Sequence, residues 1–312
     1  MTEESLLKKL EIFKQPDIGF ELYFVMNTQS IKKVDLDIKL SDSLQMRFIE
    51  KVLSIFNSEN SFKLRSIDEL SSEQLASEYF YFNSENIYEN LKYILDFAKD
   101  EKTDMFSLSD SLYRDVDAVL MKIGTKSDHI ILYKHHYPIN VLTKRSSINI
   151  FKDGDTFKEL SDDIFKIDIN FDFLFTGEYL IINKLKTLET KLGYTDVIYT
   201  KAFENIEIIS TLNFIEDLDT LKEAIKTNRL AKKLNKVKGS RVIKIIEDDI
   251  DKVVKFIQNH PQLKKIKLTQ NNKLKLDTKI SVERFLKLLD DDYLHSQLTN
   301  MLYDTNSKDS LN

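Results

Sequence analysis

The sequence predicts an α+β fold: an acidic mixed sheet-and-helix domain over residues 1–205, then a basic, mainly helical region with a β-hairpin over 206–312. Three observations lead to this. The first region holds runs of strand-like segments with helices between and after them. From Phe214 onward the apolar residues recur at helical steps, with one period-2 interruption. The charge is also divided along the chain. Overall, 46 Lys and Arg face 51 Asp and Glu, a net charge of -5. Yet Leu221 to Leu288 holds 19 basic and 7 acidic residues, net +12, leaving -17 on the remainder. A field this lopsided attracts a polyanion or repels a wrong partner.

The elements follow in order. Gly19–Met26 (GFELYFVM) and Val34–Leu40 (VDLDIKL) read as a strand pair, the second with Val34, Leu36, Ile38 and Leu40 inward. Ser41 or Ser43 is the expected cap of a helix burying Phe48, Val52, Ile55 and Phe56. A second helix over Ser84–Phe97 buries Ile87, Leu91, Ile94 and Leu95. Strands follow at Val116–Ile123, His129–Lys134, Ile164–Phe171 and Tyr179–Ile182, with turns at Gly124 and Gly177. The aromatic run Tyr79–Phe82 reads as a buried strand rather than a base-stacking surface. In the second region Asp248 precedes a helix with Ile250, Val253, Val254 and Ile257, and Pro261 closes it. Ser281 is the expected N-cap for a helix burying Phe285, Leu286 and Leu289.

Composition narrows the class. A chain of 312 residues is long enough for about two domains, and 42% apolar content supplies a core. No Cys is present, which excludes disulfides, thiolate metal sites and cysteine nucleophiles. The N-terminus is acidic and amphipathic, unlike a signal peptide, and no apolar run reaches the ~18 residues of a membrane helix. A cytoplasmic protein is expected.

Two basic surfaces stand out. Lys222, Lys226, Arg229, Lys233 and Lys236 are spaced 4, 3, 4 and 3 apart, which places them on one face of a helix. Leu218, Leu221 and Ile225 face one way there and Leu230, Leu234 and Val237 another; either a break near Thr227–Asn228 or a helix bridging two packed bodies reconciles them. In Lys264–Asp277 (KKIKLTQNNKLKLD), Ile266, Leu268, Leu274 and Leu276 alternate with Lys265, Lys267, Lys273 and Lys275. This is a half-buried hairpin. Burial pairs Leu268 with Leu274 through a three-residue loop, Gln270–Asn272, with an Asn at φ > 0. Lys267 then opposes Lys275, an arrangement that costs stability unless something else favours it, such as a phosphate backbone. These nine cations are the expected DNA contacts. Lysines act on phosphate as point charges, and no Arg-rich recognition helix is present, so binding with little sequence preference is expected.

Catalytic chemistry is less legible. A nuclease core with an acid on one strand and Glu-x-Lys on the next is not met: Asp117 is followed by Leu132-Tyr133-Lys134 and Asp172 by Ile182-Asn183-Lys184. Asp172 and Glu178 flank Gly177 and could meet across a turn. His135 and His136 point to opposite faces of a strand, which suits one core and one surface histidine better than a shared metal. GxxxxGK, GxGxxG and GxSxG are all absent. No catalytic residue, metal or cofactor is assigned.

Three blocks carry a family resemblance: Asp117–Pro138 (DAVLMKIG…HIILYKHHYP), Phe171–Tyr194 (FDFLFTGEYLIINKLKTLETKLGY) and Phe285–Tyr303 (FLKLLDDDYLHSQLTNMLY). In order and content the chain resembles the KwaB family of bacterial Kiwa anti-phage defence, from about residue 110 to the end. The resemblance implies a cytoplasmic DNA-binding effector held at the inner membrane by a multi-spanning KwaA-like sensor. It supplies no catalytic residues. The expected protein is a defence effector that binds DNA through its basic region and its membrane partner elsewhere, acting as a homodimer. Two alternatives are a divergent metal-dependent nuclease and an adaptor whose lysines meet anionic lipid.

Overall fold

The structure, a computed structural model, describes residues 2–15, 18–57, 62–70, 77–99, 103–108, 112–142, 148, 150–159, 163–295, 298 and 301–304. The expected α+β class is what the chain adopts. Contacts divide it into two compact units, Met1–Ser66 with Leu75–Leu192, and Ile67–Gln74 with Gly193–Asn312. Residue 205, where the sequence places the boundary, lies inside one continuous helix, Tyr194–Thr211.

In the first unit the helices are α1 (Glu3–Ile12), α2 (Ile38–Ile55), α3 (Glu89–Lys99) and α4 (Leu185–Lys191). The strands are β1 (Gly19–Met26), β2 (Ile31–Val34), β3 (Lys63–Ser66), β4 (Glu78–Asn83), β5 (Asp104–Met105), β6 (Val116–Gly124) and β7 (His129–His135), then β8 (Val141–Leu142), β9 (Ile150–Asp153), β10 (Thr156–Glu159), β11 (Ile164–Phe165), β12 (Phe173–Phe175) and β13 (Tyr179–Ile182). Nine of them form a mixed sheet in the order β3-β4-β13-β12-β7-β6-β1-β2-β5. Among the described residues, the outer pairs β3–β4 and β2–β5 of this sheet are parallel and its other pairs antiparallel. In β1, Phe20 stacks on Phe48 of α2, while Tyr23 meets Phe97 of α3 edge-on. Odd and even residues of a strand face opposite ways, so α2 and α3 cover opposite faces of the sheet. Burial on both faces explains why β1 and β6 read as nearly unbroken apolar runs. At the β6–β7 turn Gly124 has φ 142, and a Cβ there would sit 2.4 Å from the Asp128 carbonyl oxygen, so only glycine fits.

Several expectations are corrected. Val34–Leu40 is not a strand: β2 ends at Val34, and Ile38, 78% exposed, already begins α2. Asp37 decides this, because its carboxylate accepts the N–H groups of Lys39 and Leu40 and caps the helix there. Ser41 is therefore not the cap; its hydroxyl donates to the Phe20 carbonyl. The Ser84–Phe97 helix is two pieces, a 3-10 turn at Ser84–Asn86 and then α3, which buries Leu91 and Ile94. The side chain of Leu95 lies outside those described. The strand expected over Ile164–Phe171 shrinks to β11, which pairs with β8 outside the main sheet. The sheet position is taken by β12, a three-residue strand between β7 and β13 that the sequence reading missed. Tyr79–Phe82 is a mostly buried strand, as expected.

In the second unit the helices are α5 (Tyr194–Thr211), α6 (Asp219–Ala224), α7 (Asn228–Asn235), α8 (Arg241–Asp248), α9 (Ile250–Asn259) and α10 (Lys279–Leu289). Two hairpins accompany them, β14 (Lys267–Leu268) with β15 (Leu274–Lys275), and β16 (Tyr293–His295) with β17 (Leu302–Asp304). Asn235 locks α7 to α5, accepting from the Asn205 amide at 3.1 Å and donating to the Ile198 carbonyl at 2.9 Å. Asp249 caps α9. Thr278, not Ser281, caps α10; Ser281 sits three positions inside and its hydroxyl oxygen accepts the Thr278 N–H, completing a reciprocal box. Among the described residues no helix is long and apolar enough to cross a membrane.

Candidate nucleic-acid interface

The nine expected DNA contacts do not form the two surfaces that their spacing suggests. The helical stripe is broken: α6 ends at Ala224, α7 begins at Asn228, and Thr227 between them is extended, with φ -88 and ψ 120. Lys222 and Lys226 lie exposed before or within the break, and Lys226 pairs with Glu223. Arg229 pairs with Glu283 of α10. Lys233 is buried, its Nζ 2.6 Å from the buried carboxylate of Asp292. Lys236 reaches toward Asp290 at 3.8 Å. Apart from Glu223, the acids that answer the stripe come from α10 and the three-aspartate run after it, over 50 residues away. Four of the five stripe cations thus face acids of this unit, three of them distant in sequence, and Lys233 is not available to a phosphate. Nothing in the local sequence around residues 222–236 could have shown this.

The hairpin is as expected. Lys267 pairs with Lys275 and Leu268 with Leu274. The Thr269 N–H donates to the Lys273 carbonyl at 2.8 Å, closing a loop of Gln270, Asn271 and Asn272, and Asn272 takes φ 58. Ile266, Leu274 and Leu276 are buried, which fixes the register. One element was not foreseen. Phe214–Glu216 runs alongside β15, accepting the Leu274 N–H at Phe214 and donating from Glu216 to the Leu274 carbonyl. The hairpin is thereby held as the outer part of a three-segment patch. Lys267 and Lys275 are exposed on its face, and Lys267 is paired with Asp277 at 2.7 Å. That contact holds the Asp277 carboxyl below its usual range, with Lys275 adding to the effect. Asp277 therefore relieves part of the repulsion between the opposed lysines. Lys273 donates to the neutral amide oxygen of Asn213 at 2.6 Å. Lys265 lies in a 3-10 turn before the hairpin rather than on a strand, and its side chain is outside those described. Of the nine, Lys222, Lys226, Arg229, Lys267 and Lys275 are exposed and Lys273 is half-exposed; Arg229 is engaged by Glu283, as Lys226 is by Glu223 and Lys267 by Asp277.

The acidic positions have other tasks. Asp172 is buried between β7 and β13 and accepts from Lys134 Nζ at 3.2 Å and from the His135 N–H at 2.9 Å. Lys184 Nζ stands 3.7 Å from it. This carboxylate is committed to cations and backbone of its own sheet. Glu178 is exposed at the Gly177 turn whereas Asp172 is buried, so the two carboxylates play separate parts. Asp117 is exposed on β6. Among the described residues no group of three or more His, Asp or Glu could hold a metal ion.

The histidine pair splits as expected, His136 buried and His135 half-exposed. His136 stacks on Phe165 with ring centroids 4.3 Å apart, and its Nε2 has no partner among the described residues. Burial, with a smaller contribution from His135, pushes its pKa down from 6.5 to about 4. The unfolded chain binds this proton more readily than the folded one, so stability is lost as pH falls from about 6.5 toward 4. The loss reaches about 2 kcal/mol near pH 5. A His136→Phe variant keeps the stacking and carries no such proton site. Urea unfolding at pH 7.5 and 5 is expected to show the parent losing about 2 kcal/mol more than this variant. Equal losses in the two proteins would show that His136 does not titrate in this way.

The fold and the site together define an α+β protein whose acidic sheet unit is joined to a mainly helical unit of no net charge, in which a lysine-rich stretch carries a lysine-faced hairpin. The family model described as "Kiwa protein KwaB-like" matches residues 113–299, and the chain belongs to that family. It is 26% identical to the "Kiwa protein KwaB" of Escherichia coli O55:H7 (strain RM12579 / EPEC), over 100% of this chain and 99% of that protein. No solved structure matches.

Proposed function

We propose that this chain is a Kiwa defence component that binds DNA through the phosphate backbone with little sequence preference, acts as a homodimer, and is held at the inner membrane by a membrane-spanning KwaA-like partner. Family membership supports the defence role. The observation that carries DNA binding is the hairpin, where Lys267 and Lys275 stand directly opposed and exposed in a register that burial dictates. Opposed like charges lower the stability of a strand pair, and a polyanion laid across them offsets that cost. Lys222, Lys226 and Lys273 extend the set to five. Sequence readout has no support in this set, because lysine ammonium groups on phosphate position a duplex without reading it.

A gel-shift series on the purified protein, at several salt concentrations and with or without magnesium, tests this. If about five phosphates are neutralised, affinity falls a few hundredfold between 50 and 200 mM salt. Unrelated duplexes should bind within about tenfold of one another. The Lys275→Glu variant is expected to weaken binding while changing stability by less than about 1 kcal/mol. Undiminished binding by that variant, or binding indifferent to salt, would remove the hairpin from the interface. Magnesium-dependent nicking would make the protein a nuclease. Binding to anionic vesicles without DNA binding would make it a membrane adaptor.

A further inference from the structure

Between β8 and β11 the chain runs out and back as the hairpin β9–β10. Among the described residues these two strands pair only with each other, Ile150 opposite Glu159 and Lys152 opposite Phe157. Gly154, with φ 62, takes the first position of the two-residue turn between them. Residues two apart on a strand share a face, so Ile150, Lys152, Phe157 and Glu159 stand together on one side. All four are exposed, Ile150 at 63% and Phe157 at 68%. On the other side Lys158 is paired with Asp153, whereas Lys152 and Glu159 have no ion-pair partner among the described residues. A two-stranded hairpin with an open apolar face is marginal in water and gains stability when that face is covered.

Resting on the homodimer reading above, we propose that this face is an isologous interface with a second copy of the chain. The four side chains form the corners of a rectangle, with the apolar pair on one diagonal and the opposite charges on the other. A second copy can be laid face to face on it by a two-fold rotation about either diagonal, along the strands or across them. About the Lys152–Glu159 diagonal, each charge meets its own kind. Along or across the strands, every apolar side chain meets a charge. About the Ile150–Phe157 diagonal, Ile150 meets Ile150, Phe157 meets Phe157, and Lys152 of each chain meets Glu159 of the other. That last arrangement alone joins apolar to apolar and pairs both charges. It crosses the two hairpins steeply, as orthogonal sheet packings do. Four residues are few against the roughly 20–30 a side of a standard interface. Leu142 and Ile164, directly opposed on β8 and β11, and Ile148 supply further exposed apolar surface on the same arm. The crossed charge pairs set the orientation more than the affinity.

Analytical ultracentrifugation of the full-length protein, at concentrations up to about 100 μM, tests this. The parent is expected to dimerise. Lys152→Glu and Glu159→Lys each place two like-charge pairs in the interface, and each alone should weaken the dimer about tenfold or more, less so at high salt. The double variant restores both pairs with the charges exchanged, and its dimer should come within about threefold of the parent's. Phe157→Ser should weaken the dimer with or without the exchange. These side chains are exposed, so all the variants should melt with the parent. A dimer that ignores the single exchanges, or a double variant no better than either single, would overturn this surface and leave the homodimer reading standing. A monomeric parent would overturn both. If that monomer bound phosphatidylglycerol vesicles and Phe157→Ser released it, the hairpin would belong to a lipid surface instead.

Discussion

Replacing Lys233 with alanine is expected to cost up to about 3–5 kcal/mol of folding free energy, because it removes the cation that sits against the buried carboxylate of Asp292. The two groups lie 2.6 Å apart with side chains only 11% and 2% exposed. A pair this buried contributes modestly as a pair, since desolvation offsets much of its Coulomb attraction, but losing one partner removes that attraction while the other group stays desolvated. Urea unfolding of Lys233→Ala, Asp292→Leu and a Lys233→Met/Asp292→Leu double variant separates these effects. Each single change should be strongly destabilising, and the double should recover at least half of the larger single loss. A Lys233→Ala loss below about 1 kcal/mol would mean that the pair behaves as a surface contact. The result also bears on function. Loss of DNA binding in a Lys233 variant reports on folding, so Lys222 and Lys275 are the informative positions.

The second large effect is at Asp172. Among the described residues, its removal leaves the buried Lys134 ammonium with Asp168 at 3.5 Å as its carboxylate, and it takes away the acceptor of the His135 N–H. Breaking a buried ion pair costs about 3–5 kcal/mol. An orphaned N–H adds about 1–3 kcal/mol more. Asp172→Ala is therefore expected to lie at the edge of stability for a domain held by about 5–15 kcal/mol. Asp172→Asn keeps an acceptor for His135 and should be less damaging. Melting curves of the two variants check this. If Asn is as harmful as Ala, the charge matters and the backbone hydrogen bond does not.

Much of the main sheet was legible in the sequence. The cores of β1, β6, β7 and β13 stand where apolar runs and glycine turns place them, because strands buried on both faces leave an unmistakable composition. The hairpin was legible down to its loop, since period-2 burial leaves one register and Asn tolerates the positive φ found at Asn272. Short elements were not. Three-residue β12 carries too few residues for a period, and the Asp37 cap outweighed an alternation that looked like a strand.

The candidate site divides in the same way. The sequence by itself determined that the C-terminal region is basic, that no cysteine chemistry is possible, and that Lys267 opposes Lys275. Only the tertiary structure decided which cations remain available. Arg229, Lys233 and Lys236 met acids from a helix and loop more than 50 residues further along, and Lys134 met Asp172 across neighbouring strands. Local spacing fixes which side of a helix or strand a charge occupies. Whether that charge faces solvent or a buried partner depends on what the rest of the chain packs against it, because desolvation and Coulomb attraction act through space and not along the sequence.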